Sequence, residues 1–266
     1  MGIELENKRI YDYKIISNYH THTKRCKHAC GEDREYVEAA IDAGFKIMGF
    51  SDHTFYPTGF KSCMRMDVSE ADGYFYSIEQ LKKEYKNDIE IYAGLETEYF
   101  PEHFDKLTEA LKDYPLDYMI LGQHFVPDEE HGVGTAGPFT DKKILDMYVE
   151  NVIAGMKTGR FMYVAHPDLP IYAGVDKDVI LTNAYNQICS VAKDFNIPLE
   201  INVLGHMRGK NYPSDEFFKV AAEYDNDVII GMDVHNPKHF HKSEDVEFCI
   251  KLAEKYNLNL LRKIDL

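Results

Sequence analysis

The chain has 266 residues, with 45 Asp and Glu against 30 Lys and Arg. That length suits one β/α barrel of ~250 residues and predicts a single domain over residues 1–266, while the acidic balance works against a broad basic surface for nucleic acid or an anionic membrane. No run nears the ~18 apolar residues of a membrane span, Met1 to Asn18 lacks a signal-peptide pattern, and Gly2 is followed by Glu6 where myristoylation needs Ser or Thr, so a cytoplasmic protein is expected.

Seven apolar, strand-like runs follow in chain order: Ile15 to His20, Lys46 to His53, Ile89 to Glu96, Tyr118 to His124, Phe161 to His166, Pro198 to Glu200 and Val228 to His235. Each ends on a metal-binding or acidic residue. Parallel strands that all present such residues at their carboxyl ends build one polar mouth at one end of a barrel. Tyr11 to Ile16 reads either as an extra strand start or as an N-terminal extension. Helical spacing falls between the runs, as α/β order requires. Glu35 to Ala43 has Gly44 as its C-terminal cap, and Ile144, Leu145, Tyr148, Val152, Ile153 and Met156 mark an outer amphipathic helix. Further helices are expected around Ser69 to Lys86, His103 to Asp113, Asp176 to Phe195, Asp215 to Glu223 and Ser243 to Tyr256. Phe55 to Asp67 and Val126 to Thr140 are weakly patterned, and the second reads equally as a mobile active-site loop or a solvent-exposed connection. Five cysteines, an odd number and mostly far apart, point to reduced thiols. Cys26 and Cys30 flank His28, where packing outweighs metal binding as the expected role.

The His20-Thr21-His22 triplet puts two imidazoles on the same side of an extended chain, within reach of one ion. Alone the pair is weak. It is joined by His28, Asp52-His53, Glu96, His124, His166-Pro167-Asp168 and Asp233-Val234-His235, so seven of the twelve histidines lie at or just beyond strand ends. A structural role for all of them together is a poor explanation. Asp52, Asp168, Glu200 and Asn202 stand beside these residues and are candidates either for orienting imidazoles or water or for capping barrel-end backbone.

With these motifs the chain resembles the PHP superfamily, specifically its histidinol-phosphate phosphatase branch. The resemblance runs from His20 to Pro237 and rests on the His-x-His start, Asp52-His53, Ala165-His166-Pro167-Asp168-Leu169, Leu199-Glu200-Ile201-Asn202 and Gly231-Met232-Asp233-Val234-His235. It implies a distorted seven-stranded TIM-like barrel, a (β/α)7 fold, holding up to three divalent transition-metal ions at the C-terminal ends of the strands. By the same resemblance His20, His22, Glu96 and Asp233 hold a first ion, Glu96 bridges to a second held by His124 and His166, and His28, His53 and His235 hold a third. Seven imidazoles and two carboxylates suit Zn, Mn or Fe better than Ca or Mg. The chain departs from the branch pattern at Val203 to Lys210 and at Gly231-Met232-Asp233-Val234-His235, which touches substrate assignment rather than metal binding.

The resemblance implies hydrolysis of L-histidinol phosphate to L-histidinol and phosphate in histidine biosynthesis. In that reaction Asp233 accepts the proton of the attacking water, and His206 or a metal-bound water protonates the departing alcohol. Arg208 is the expected phosphate contact, because its planar fork matches phosphate oxygens and it follows the sixth strand; Arg160, at the start of the fifth, is expected at the opposite face. The rivals are a phosphoesterase acting on another small phosphate or nucleotide, an amidohydrolase-type barrel, and a non-catalytic metal-stabilised accessory domain.

Overall fold

The computed structural model describes residues 15–266. The expectations for Met1 to Asn18, for Gly2 and Glu6, and for Tyr11 to Ile16 lie wholly or largely outside the described residues. Four parallel strands, β1 (Ser17–Asn18), β2 (Ile47–Phe50), β3 (Glu90–Thr97) and β4 (Tyr118–Leu121), form one sheet in chain order. Two small pairs lie between β4 and the second sheet: β5 (Phe125–Val126) with β6 (Val133–Gly134), and β7 (Pro138–Phe139) with β8 (Ile171–Tyr172). The second sheet is also parallel, with β10 (Asp227–Gly231) between β9 (Leu199–Asn202) and β11 (Asn259–Leu261). β2 and β4 are wholly apolar and buried, and β9 and β10 are buried along almost their whole length, as parallel strands covered on both faces must be.

The result is an α/β fold with a curled parallel sheet. Single bridges join Leu121 to Val164 and Val164 to Leu199, and another joins Thr21 to Val234. The run expected as a fifth strand is therefore reduced to one bridging residue, although Met162, Val164 and Ala165 still donate backbone hydrogen bonds to Met119, Pro198 and Leu121. At the other end of the curl, β11 pairs with β10, and Ser17 Oγ donates to the carbonyl of Arg262. β1 and the chain after β10 meet at their upper ends, through His22 N–H to Val234 O, Val234 N–H to His20 O and Met232 N–H to Asn18 Oδ1.

The helices match the expected segments closely, and several carry their own start or stop signals. The Asp33–Asp42 helix begins on a reciprocal capping box between Glu32 and Glu35, and Gly44, at φ +89°, takes the left-handed position after its end. Asp141 and Ser214 cap the Lys142–Lys157 and Asp215–Glu223 helices with their side chains. A short helix at Val203–Met207, capped by Asn202, adds to the expected set, since five residues are too few to show a period. Among the described residues no helix is long and apolar enough to cross a membrane.

Inside the curl a small aromatic core of Tyr19, Ile47, Tyr118, Ile120, Tyr163, Ala165 and Ile229 fills the space between the strands. Tyr118 donates to the carbonyl of Phe50 at 2.8 Å and also hydrogen-bonds the carbonyl of Tyr19 at 2.6 Å, and its ring occupies the room left by Gly49 and Gly94. The polar mouth thus rests on a packed floor. The Phe55 to Asp67 and Val126 to Thr140 segments are tied together: Glu129 accepts from Ser62 Oγ and Arg65 Nε, and its N–H donates to Tyr56.

Candidate metal centre

The curl brings the carboxyl ends of β1, β3, β4, β9 and β10 to one point. His20 and His22, two residues apart just beyond β1, direct their Nε2 atoms to the same side. Glu96, near the end of β3, faces them and is 1% exposed. His20 Nε2 lies 3.3 Å from Glu96 Oε2 and 3.5 Å from Asp233 Oδ1. His22 Nε2 lies 3.1 Å and 3.3 Å from the same two atoms. Four donors around a zinc-sized ion at ~2.05 Å stand ~3.3 Å apart along the edges of a tetrahedron. These four atoms also lack any hydrogen-bond partner although buried, which is costly unless a cation satisfies them. The residues therefore fit a metal ion.

Glu96 divides its two oxygens between two groups. Oε2 faces His20, His22 and His53, whose Nδ1 is 3.2 Å away, while Oε1 is 2.9 Å from His166 Nε2 and 3.6 Å from His124 Nε2. Gly122 makes this possible, since a Cβ there would overlap Glu96 Oε1. A third group forms where His28 Nε2 and His235 Nε2 approach to 3.0 Å, with the His22 and His235 rings stacked at 4.4 Å. Donor atoms of His22, His53 and His235 all lie within 4.8 Å of one another.

The outer residues sort the four sequence candidates into two pairs. Glu200, fully buried, takes His20 Nδ1 on Oε1 at 2.7 Å and the His166 N–H on Oε2 at 2.9 Å. A carboxylate only accepts, so His20 carries a proton on Nδ1 and leaves Nε2 as the nitrogen from which an ion would displace the second proton. Asn202 donates to Glu200 Oε2 at 2.9 Å and to Asp233 Oδ2 at 3.2 Å. Asp52 and Asp168 touch backbone instead. Asp52 accepts from the N–H and hydroxyl of Thr23, and Asp168 accepts from the N–H of Ser214.

Electrostatics follow from crowding imidazoles and carboxylates away from water. Burial alone would lower His20, but Glu200, Asp233 and Glu96 outweigh it and push the pKa up to about 10. Burial with neighbouring imidazoles brings His28 down to about 4. For His124, burial again dominates, against the pull of Glu96, and brings it to about 3. Burial raises Asp168 to about 7. Glu96 and Asp233 are held well below the carboxylate range because surrounding imidazoles overcome their burial.

The expected catalytic and substrate residues are not all drawn in. Asp233 lies in the cluster. His206 does not: its ring stacks on Phe248 at 3.7 Å and its Nε2 faces Asp245 on the Ser243–Lys255 helix. Arg208 is exposed at the end of the Val203–Met207 helix, and its charge reaches Tyr212 and His239, both of which also feel Asp233. Arg160 is exposed at the start of the Val164 segment. Sequence reasoning missed Glu98, which accepts from the N–H groups of His124 and Phe125 and is ion-paired with buried Arg65. Its signal was the Glu96-Thr97-Glu98 alternation, which puts both carboxylates on one side of the extended chain where β3 ends.

The PHP domain family matches residues 18–204. A protein named "Probable histidinol-phosphatase" in Deinococcus radiodurans is 27% identical over 237 residues, covering 84% of this chain and 87% of its own. Histidinol-phosphatase of Bacillus subtilis is 34% identical over 115 residues, 40% of this chain and 43% of its own. The fold is similar to that of histidinol phosphate phosphatase from Lactococcus lactis, crystallised with Zn, L-histidinol and phosphate, with a TM-score of 0.70 at 19% identity over 95% of this chain and 99% of that one.

Proposed function

The chain belongs to the PHP domain family, and on that premise we propose that it is a metal-dependent histidinol-phosphatase, hydrolysing L-histidinol phosphate to L-histidinol and phosphate in histidine biosynthesis. The observation that carries this reading is Glu96, whose two oxygens face two separate imidazole groups from the centre of the mouth. Two curated relatives that span most of this chain, and a third over part of it, bear the histidinol-phosphatase name.

In this reading His20, His22, Glu96 and Asp233 hold one divalent transition-metal ion, Glu96, His124 and His166 a second, and His28, His53 and His235 a third, each being Zn, Mn or Fe. When bound, such ions stabilise charge on phosphoryl oxygens and lower the pKa of a water. The remaining work falls to the chain. Glu200 fixes the His20 tautomer, and Asn202 holds Asp233 Oδ2 so that Oδ1 stays turned to His20 and His22. Asp233 takes the proton of the attacking water. Arg208 binds the substrate phosphate from the rim with its paired N–H donors. His206 turns to Phe248, so protonation of the departing alcohol is assigned to a water instead.

The reading also makes the curled sheet a seven-segment barrel within one domain over 1–266, closed through Thr21 and Val234 with Val164 as its fifth segment. It acts on a small phosphorylated metabolite in the cytoplasm. Phosphate release from a panel of purified phosphorylated metabolites, before and after chelation and re-addition of Mn or Zn, tests it. Strong preference for L-histidinol phosphate with full metal dependence is expected. Full activity of the metal-free protein sinks the mechanism, and preference for another phosphate moves the assignment elsewhere in the family.

A further inference from the structure

The third imidazole group differs from the first two in having no carboxylate among His28, His53 and His235; the nearest, Glu96 Oε2 and Asp233 Oδ1, lie 3.2 Å from His53 Nδ1 and His235 Nδ1 and are shared with the first group, so an ion there would be only partly neutralised. A sulfur lies beside it. Cys26 is fully buried, and its Sγ forms with donor atoms of His28 and His235 a set lying within 4.8 Å of one another. A second such set joins Cys26 to His22 and Asp52. His22, which is 0% exposed, turns Nε2 to Glu96 and Asp233, and its Nδ1, also without a hydrogen-bond partner, is left for the set with Cys26.

The local backbone explains the convergence. The chain makes one 3-10 turn at Lys24–Cys26, and Lys27 takes the left-handed conformation at φ 64°, reversing direction so that Cys26 and His28 face the same way. His28 Nδ1 is held by the Cys26 carbonyl at 2.6 Å, leaving Nε2 for His235. Cys30 is different. It is exposed, and its Sγ accepts from Asn236 on the rim at 3.2 Å. Of the two flanking cysteines, only Cys26 is built into the group.

We propose that Cys26 is a thiolate ligand of the third ion, completing a sulfur and nitrogen site with His28 and His235. Sγ–H now donates to the Thr23 carbonyl at 3.1 Å. On metal binding that S–H bond breaks, the proton leaves to buffer and the sulfur electron pair goes to the ion. One negative charge then sits on a ligand of this ion, where His28, His53 and His235 supply none. Sulfur also favours zinc-like ions at this position over Mn, which prefers oxygen. The inference rests on the metal-centre reading above, and the experiment separates the two.

The whole protein is stripped by chelation and refilled with Co(II), and separately with Zn. Bound metal is counted, and the donor atoms are read by optical and X-ray absorption. The expected result is a thiolate-to-cobalt charge-transfer band and a zinc–sulfur distance of ~2.3 Å in the wild type. Both should vanish in Cys26→Ser and persist in Cys30→Ser, with the weakest-bound ion held ~100-fold less tightly in Cys26→Ser. Wild-type protein that binds its ions through nitrogen and oxygen alone overturns the thiolate and leaves the metal centre intact, Cys26 then being a protonated partner of Thr23. Loss of the band in Cys30→Ser but not Cys26→Ser also overturns it. Failure to bind Co(II) or Zn at all overturns both readings. Because the wild-type spectrum decides the main point, a variant that folds poorly does not blunt the test.

Discussion

Replacing Glu200 with Gln changes no volume and removes one charge, yet the surroundings accept neither orientation of the amide. One oxygen position takes His20 Nδ1; the other takes the His166 N–H and Asn202 Nδ2. If the new NH2 group faces His166 and Asn202, two donors meet a donor in a site with no exposure to water. If it faces His20, that ring must carry its proton on Nε2, the nitrogen turned to Glu96 and Asp233. The first orientation leaves an unsatisfied buried group at about 1–3 kcal/mol, and the second removes a metal ligand. Either way, ion affinity should fall ~10–100-fold. Chelated protein titrated with Zn against a competing dye gives the affinity, and urea unfolding of the same metal-free sample shows whether the fold has suffered. Wild-type affinity with wild-type phosphate release would refute the claim that Glu200 sets the tautomer of His20.

Three further outcomes follow from the same geometry. Gly122→Ala should displace Glu96 and strip metal and activity together, because the added methyl overlaps Oε1; normal metal content in a folded variant would contradict the shared role of Glu96. Arg208→Ala should lower kcat/KM by ~10–100-fold with bound metal unchanged, and parallel loss of metal would make the residue structural. For the metal-free protein, His28 and His124 have folded pKa values of about 4 and about 3, below the ordinary 6.5, so their contribution is present above 6.5 and is lost as pH falls. His53 and His235 shift the same way; the raised Asp168 and Asp52 oppose them, and the raised His20, His22 and His166 oppose them only slightly here, because their stabilisation is lost only above 6.5. Denaturant unfolding of chelated protein should show lower stability at pH 4.5 than at pH 7, and equal or greater stability at the acid end would contradict the burial of neutral imidazoles.

The chain by itself determined which side chains stand at strand ends and where most helices run, because both are local. Two-residue spacing puts His20 and His22 on one side of an extended backbone whatever lies around them, and the capping box at Glu32 starts a helix from within its own turn. It also carried Glu200 and Asn202 as candidates for orienting the site or capping backbone, since their alternation on β9 turns both toward the mouth, where Glu200 takes His20 and Asn202 holds Glu200 and Asp233. What spacing does not encode is the direction a segment takes after it leaves the sheet. His206 lies four residues past β9, as His22 lies past β1 and His235 past β10, yet the Val203–Met207 helix turns its ring to Phe248, because packing against the Ser243–Lys255 helix decides that rotation. The contraction of the fifth run to Val164 and the insertion of β11 beside β10 depend on how far the sheet curls, a property of all strands at once. The division of Glu96 between two imidazole groups belongs to that curl as well. Its carboxylate was legible in the sequence, but only the packing of separate strands brings one oxygen within 3.1 Å of His22 and the other within 2.9 Å of His166.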